Sequence, residues 1–248
     1  MKKLLFTLMV SMACSLMLNA QNPTEIIKKA DKKFKGEISS KSVMKMTIKR
    51  PTWERTLEFK SWAKGNDYSL TVVTAPAKEK GQTFLMRGSE MWNWIPSISR
   101  MIKLPTSMMS EGWMGSDYTN DDIMKESSMV VDYNHKIIGS EIINKQDCYK
   151  IEMIPKEDAA VVWGKVIKWI SKDEYLQMKT EYYDEDDYLI KTDLSYDIKN
   201  MDGRIIPTRF VIIPEDEDNK TIVELVEVKF NIPINDGFFS QQNMKRIR

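Results

Sequence analysis

Apolar and polar residues alternate with a period of two along most of the chain, a pattern that predicts half-buried β-strands. Residues 44–49 and 57–60 show it first. Further β-rich runs are SLTVVT, TFLMR, MWNWI, HKIIGSEII, CYKIEMI, GKVIKWIS, LQMKTEYY, LIKTDLSY, RIIPTRFVII and TIVELVEVKFNI. The breaks between them carry turn formers such as Gly65-Asn66 and Asp202-Gly203, which are typical of hairpins. Short turns without alternating helices predict a meandering antiparallel sheet.

A different period precedes these runs, in the stretch NPTEIIKKADKKF. Its apolar residues recur at helical spacing, so they form one stripe on a predicted helix. Thr24 is the predicted N-cap, and Gly36 is the residue at which the helix should stop. The stripe consists of Ile26, Ile27, Ala30 and Phe34.

The segment from residue 97 to residue 128 breaks the strand rhythm. Pro105, Gly112 and Gly115 interrupt it, and Thr119 or Asn120 can cap a short helix before DDIMKE. We therefore predict an insert of loop and short helices at about residues 105–128.

Methionine and tryptophan are concentrated at the start of this insert. Residues 91–116 contain five methionines and three tryptophans. Methionine adapts its shape to irregular partners, which suits a pocket for flexible apolar ligands. The alternative, that these side chains are ordinary core, stays open. The residues predicted to line a ligand pocket are Trp92, Trp94, Ile102, Leu104, Met108, Met109, Trp113 and Met114.

The first 20 residues have the pattern of a cleaved signal peptide. Lys2 and Lys3 precede an apolar run that is too short for a comfortable membrane span and that ends in small or polar residues. We expect cleavage after Ala20, with export and a single mature domain at residues 21–248. Cys14 raises the question of lipidation, but Ser11 stands where that processing motif requires a larger aliphatic residue.

The mature composition limits both partners and stabilising chemistry. Removing residues 1–20 takes away two lysines and no acids, which leaves 35 basic and 36 acidic residues and a net charge of −1. Nucleic acid is therefore not an expected partner. Cys148 is the only cysteine left, so no internal disulfide can form.

The residues offer little catalytic or metal-binding chemistry. His135 is the only histidine, and no GxSxG motif accompanies it, so a nucleophile with a histidine base is not expected. One histidine and one cysteine cannot supply a zinc site, and DEDD at residues 184–187 lacks calcium-loop spacing and reads as a hairpin turn. We expect no enzyme activity, no cofactor and no metal. An enzyme that acts on an acyl or glycan substrate is kept as a separate hypothesis, beside the binding functions considered below.

The stretch PAKEKGQTFLMRGSEMWNWIPSISRMIKLP, followed by MGSDYTNDDI, resembles the outer membrane lipoprotein-sorting protein family, relatives of the periplasmic carrier LolA. The likeness continues in DCYKIEMIPK, KVIKWISKDEYLQMKTEYYD and GRIIPTRFVI. It implies a mainly β (α+β) fold: a strongly curved antiparallel sheet forming an incomplete β-barrel, with helices covering the open concave face. The insert at residues 105–128 would then be part of a lid.

The resemblance also implies roles and partners. Gly112 and Gly115 would let the lid bend, while Asp117 and Asp122 would cap a helix or anchor the lid. The implied function is a periplasmic carrier that shuttles lipid or lipoprotein acyl chains, with an inner-membrane exporter as donor and an outer-membrane acceptor. The alternative is a periplasmic sensor or regulatory binding module that recognises lipoproteins or a protein partner. The lid-holding arginine of the carriers cannot be assigned to Arg55, Arg87 or Arg100 from the sequence.

Overall fold

The structure, a computed structural model, describes residues 21–36, 38–125, 129–159, 161–215 and 218–248. The predicted signal peptide, with Cys14, lies outside the described residues. Within them the chain forms thirteen β-strands and three α-helices. The strands are β1 (Ser39–Arg50), β2 (Trp53–Lys64), β3 (Tyr68–Ala75), β4 (Thr83–Arg87), β5 (Glu90–Ile95), β6 (Arg100–Lys103), β7 (Tyr133–Ile143), β8 (Gln146–Pro155), β9 (Lys165–Ser171), β10 (Gln177–Tyr183), β11 (Leu189–Met201), β12 (Arg204–Pro214) and β13 (Lys220–Phe230). The helices are α1 (Pro23–Lys35), α2 (Asn120–Lys125) and α3 (Gln241–Met244).

All thirteen strands belong to one antiparallel sheet in the order β6-β5-β4-β3-β2-β1-β13-β12-β11-β10-β9-β8-β7. Neighbours in the sheet are neighbours in sequence, except where β1 pairs with β13. The predicted meander is therefore confirmed, with one long-range pairing added. Strands β6 and β7 are the edges, so the sheet is curved but not closed, as predicted for an incomplete barrel. The insert links these two edges.

Helix α1 packs on the sheet through the predicted apolar stripe. Ile26, Ile27 and Ala30 are buried against side chains of β8 and β9, including Ile151 and Ile170. Gly36 ends the helix with a φ of 86°, a value that favours glycine.

The N-cap of α1 is Asn22, which corrects the prediction of Thr24. The Asn22 side chain accepts a hydrogen bond from the Thr24 N–H at 2.9 Å, and Pro23 occupies the first helical turn. Proline is favoured there because the first turn leaves its N–H groups unpaired in any case. The Thr24 hydroxyl instead contacts His135, at 3.0 Å.

The sheet has two differently covered faces. We call the face against α1 and the insert the concave face, and the opposite one the convex face. Next to β3 and β4 the convex face is covered by the C-terminal segment, residues 231–248. Phe239 and Met244 of this segment are fully buried against Leu70 and Leu85. Burial of one such large side chain contributes about 2–3 kcal/mol, so this contact fixes which face of β3–β5 is turned away from the insert.

Candidate functional site

A cavity of about 280 Å³ lies between the concave face, α1 and the insert. An apolar cavity of roughly 150 Å³ is enough to hold benzene, with its six carbon atoms. By that comparison the cavity has room for about a dozen carbon atoms of one slender ligand.

One wall of the cavity is apolar. Its side chains come from β1, β2, β12 and β13 on the sheet and from the insert on the opposite side, where Trp113 and Ile123 contribute. The sheet residues of this wall are Met44, Met46, Phe59, Ile206, Phe210, Val223 and Leu225. We call this set, with Trp113 and Ile123, the apolar wall.

The wall formed by β9–β11 carries polar side chains beside the apolar Ile170 and Tyr182. Lys168, Gln177 and Asp193 line the cavity there, and we call these three residues the polar wall. The Lys168 ammonium donates a hydrogen bond to Gln177 Oε1 at 2.7 Å, and Lys168 and Asp193 are both buried. In the strand register Thr180 pairs with both Lys168 and Asp193, so all three lie in one row across the sheet. A buried charge is retained only where partners or a function compensate its desolvation.

The insert crosses the cavity from one sheet edge to the other. Residues 105–125 of the predicted insert are described, and residues 126–128 lie outside the described residues. It consists of short turns, an isolated bridge between Gly112 and Thr119, and helix α2. A Cβ on Gly112 would lie 2.6 Å from the Ser116 carbonyl oxygen, and Gly115 has a φ of +76°. Both glycines are therefore required by the tight fold of this segment.

Two arginines at the β1–β2 end of the sheet hold the insert through its backbone. Arg50 Nη2 donates to the Gly115 carbonyl at 2.9 Å and forms an ion pair with Asp117 at 3.0 Å. Arg55 Nη2 donates to the Met114 carbonyl. Hydrogen bonds from a charged donor are the stronger kind, so these contacts keep the insert against the sheet.

Lys191 on β11 holds the other end of the insert against the sheet. Its ammonium forms a buried ion pair with Asp122 and donates to the Asp117 carbonyl at 3.0 Å. The Trp163 indole N–H also donates to Asp122, at 2.9 Å. Asp122 in addition accepts from the Thr119 N–H at 2.7 Å, while the Thr119 hydroxyl accepts from the Asp122 N–H at 3.0 Å. The structure thus places Asp122 in both a helix-capping and an anchoring contact.

Of the eight residues predicted to line a ligand pocket, Trp113 alone is among the residues that line the cavity. It is buried between Phe59 and Phe84, with ring centroids 5.4 Å and 5.2 Å away. Met114 packs against the same cluster, at a φ of 55°. These residues belong to the underside of the insert.

Three other predicted residues lie under or beside the insert without lining the cavity. Leu104 and Met109 pack against the buried pair Met86 and Met91. Ile102 lies on the short edge strand β6, where it pairs with Asn93 of β5. A fourth, Met108, is 42% exposed and does not line the cavity.

Trp92 and Trp94 do not face the cavity, which corrects their predicted placement. The alternation along MWNWI puts both on one face of β5, as expected, but that face is the convex one. Both pack in the cluster formed by Leu70, Leu85 and the C-terminal segment. The physical reason is that residues 231–248 supply an apolar cover for this side of the strand.

His135 and Cys148 are both held in their neutral forms. His135 Nε2 lies 2.8 Å from the Met129 carbonyl, so this nitrogen carries the proton, and Nδ1 accepts from the Thr24 hydroxyl. Burial lowers the pKa of His135 and raises the pKa of the Cys148 thiol to about 11. These contacts give His135 a structural role in joining α1 to the residues before β7.

Two observations concern the acidic clusters and metal binding. Asp184 Oδ1 accepts from the N–H groups of Asp186 and Tyr188 at 3.0 Å and 2.9 Å, so DEDD forms the predicted turn. Among the described residues, no group of three or more His, Cys, Asp or Glu side chains is placed to hold a metal ion.

Sequence reasoning missed Arg50, Lys191 and the polar wall. The run LIKTDLSY did contain a signal, since Lys191, Asp193 and Ser195 share one face of the strand. A polar set at this spacing normally faces solvent, whereas all three residues are buried here. Only the tertiary structure shows that this polar face of the strand is buried.

Comparison with known proteins gives a consistent result for the fold. Residues 65–246 match the model of a family described as "-like: Uncharacterized protein". A DUF1329 family protein from Desulfovibrio piger is 25% identical, with a TM-score of 0.82 over 90% of this chain and 97% of that chain. A LolA superfamily protein from Nitrosomonas europaea is 25% identical, with a TM-score of 0.77 over 90% of this chain and 100% of that chain.

A domain from Vibrio parahaemolyticus, described as an outer membrane lipoprotein-sorting protein, is 21% identical, with a TM-score of 0.80 over 90% of this chain and 98% of that chain. The fold is therefore LolA-like. No curated protein matches the sequence. In the described part of the chain, no helix has the length and apolar character needed to cross a membrane.

Proposed function

The chain belongs to the family whose model matches residues 65–246 and has a LolA-like fold, and from this premise we propose that it is a periplasmic carrier of acyl chains. The ligand would be a lipid or the acyl chain of a lipoprotein, held in the cavity while it passes from an inner-membrane exporter to an outer-membrane acceptor. Residues 1–20 would direct export, and no catalytic step is involved. The LolA superfamily and lipoprotein-sorting relatives support this class of function.

The cavity beneath a separately anchored insert is the observation that carries this proposal. The cavity has room for about a dozen carbon atoms, and each methylene removed from water contributes roughly 0.8 kcal/mol. The gross gain is therefore on the order of 9 kcal/mol. This gain offsets the cost of removing the chain from a membrane only if the chain passes directly between the membrane and the cavity, without exposure to water.

The insert, residues 105–128, would act as the lid of the cavity. Its contacts with Arg50, Arg55 and Lys191 are polar and few, so they can be exchanged for contacts with a donor or acceptor protein. Part of the gain from chain burial is offset by the entropy of ordering the insert. A carrier with moderate net affinity can then pass its ligand on.

Binding of a fluorescent acyl probe to delipidated mature protein tests the proposal. We expect saturable uptake by the wild type and at least a tenfold weaker affinity for Val223→Asp, which places a charge in the apolar wall. The matched control is Val226→Asp on the same strand, whose side chain is exposed and which should bind as the wild type does. Wild-type protein that takes up no acyl probe would rule the carrier function out and favour a protein-binding module.

A further inference from the structure

The indole N–H of Trp113 differs from those of the two other tryptophans with buried side chains. Trp163 donates to Asp122 at 2.9 Å, and Trp169 donates to Glu141 at 2.8 Å. Trp113 Nε1 is buried and has no acceptor among the described residues. Of these three tryptophans, only Trp113 lines the cavity.

A buried N–H group without an acceptor is unusual, because it loses its hydrogen bond to water and gains nothing in return. Packing alone does not explain a tryptophan at this position. The ring contacts with Phe59 and Phe84 could be made by a phenylalanine, which has no polar atom. An acceptor that enters the cavity with the ligand would supply the missing partner, once a small shift of the neighbouring side chains opens Nε1 to the cavity.

The polar wall provides independent support for a ligand with polar atoms. Lys168, Gln177 and Asp193 border the same cavity, although a pure hydrocarbon would make no hydrogen bond with any of them. Lys168 and Asp193 carry opposite charges, so the wall adds no net charge. This wall favours a ligand with uncharged hydrogen-bonding groups, because an extra buried charge would be strongly disfavoured.

We propose that the Trp113 indole N–H donates a hydrogen bond to the carbonyl oxygen of the bound acyl group, so that the cavity distinguishes acyl from alkyl chains. The acyl group would be an ester or amide with one chain in the cavity. This inference rests on the proposed binding function and adds the residue that determines its specificity.

Two probes that differ at one carbon test this contact: 1-lauroyl glycerol, which has the ester carbonyl, and 1-O-dodecyl glycerol, which has a methylene in its place. The variant is Trp113→Phe, which removes the N–H and keeps an aromatic ring. The matched control is Trp62→Phe, because Trp62 packs with Leu70, Leu85 and Phe239 on the convex face. Affinities are measured by displacement of a fluorescent acyl probe from the mature protein.

We expect the wild type and Trp62→Phe to prefer the ester over the ether by about five- to tenfold, the value of one neutral hydrogen bond. In Trp113→Phe this preference should fall to about one, with ether affinity nearly unchanged. An equal loss for both probes, or an unchanged preference, would overturn the inference while leaving the carrier function intact. Absence of binding by both probes to the wild type would instead refute the carrier function itself.

A second measurement on wild-type protein covers the case in which Trp113→Phe does not fold. In a ¹H–¹⁵N spectrum, the Trp113 indole N–H signal should move downfield with the ester and not with the ether. Equal shifts with both probes would contradict the inference. Repeating the titration with an N-lauroyl peptide separates the two sources of an acyl carbonyl: tighter binding of the peptide indicates lipoprotein, and tighter binding of the glyceride indicates free lipid.

Discussion

Lys191 on β11 and Asp122 on the insert form an ion pair in which both side chains are almost fully buried, at 4% and 5% exposure. The Lys191 ammonium also lies 4.7 Å from the centroid of the Trp163 ring and 5.0 Å from that of Tyr182. The two residues are 69 positions apart in the sequence. This pair therefore ties the insert to the far half of the sheet.

Replacing Asp122 should destabilise the protein strongly, because Lys191 would keep a buried charge without its carboxylate partner. For Asp122→Asn we expect a loss of about 3 kcal/mol in the free energy of unfolding, measured by guanidinium denaturation. The control is Asp147→Asn, which breaks an exposed pair with Lys172 and should cost about 0.5 kcal/mol. Similar losses in the two variants would mean that the Lys191 pair is not the main anchor.

Replacing Arg50 should loosen the insert without emptying the cavity. Arg50→Gln removes the hydrogen bond to the Gly115 carbonyl and the ion pair with Asp117. Because charge-assisted hydrogen bonds are worth about 1.5–3 kcal/mol, an acyl probe should dissociate at least about tenfold faster in stopped-flow measurements. Arg87→Gln is the control, since Arg87 is exposed on β4 and stacks over Tyr68 instead. Identical dissociation rates for Arg50→Gln and wild type would show that the insert does not limit release.

A methyl group on Gly112 should disturb the insert, because its Cβ would lie 2.6 Å from the Ser116 carbonyl oxygen. We expect Gly112→Ala to lower the free energy of unfolding by about 1–3 kcal/mol and to increase proteolysis within residues 105–125. Gly139→Ala is the matched control, since no heavy atom lies within 4 Å of a Cβ there. Equal stability of the two variants would contradict the tight turn described for the insert.

Cys148 should be unreactive in the folded protein, because burial raises the pKa of its thiol from 9.0 to about 11. The folded state holds this proton more tightly than the unfolded state does. The resulting stability is present below pH 9 and is lost as the pH rises toward 11. We expect slow reaction with a thiol reagent at pH 8 until denaturant unfolds the chain. A Cys148→Ala variant should lose the part of the alkaline destabilisation that comes from this group, and rapid labelling of native protein would contradict the burial of the thiol.

The sequence contains enough local information for most of the strands and for helix α1. Period-two alternation placed Met46, Ile48, Leu57 and Phe59 correctly on the buried side of β1 and β2. The same alternation placed Trp92 and Trp94 on one face but could not tell which face is concave. That choice depends on Phe239 and Met244, nearly 150 residues later in the chain, and no local pattern encodes it.

The anchors of the insert were hidden for the same reason. Asp117 and Asp122 stood out because the family resemblance implies helix capping or lid anchoring for them, but their partners Arg50 and Lys191 lie 67 and 69 positions away. Lys191 also occupies a strand position that alternation assigns to solvent. Residues whose partners are remote in sequence can be recognised only when the sheet order is known.

Mass spectrometry of organic extracts from gently purified mature protein tests the central claim most directly. Two variants on neighbouring residues of β2 accompany the wild type: Ser61→Trp fills the cavity, and Lys60→Trp points to the opposite face of the strand. The account predicts a near-stoichiometric acylated compound with the wild type and with Lys60→Trp, and a strong depletion with folded Ser61→Trp. Equal amounts of lipid in all three proteins, or none in the wild type, would contradict it.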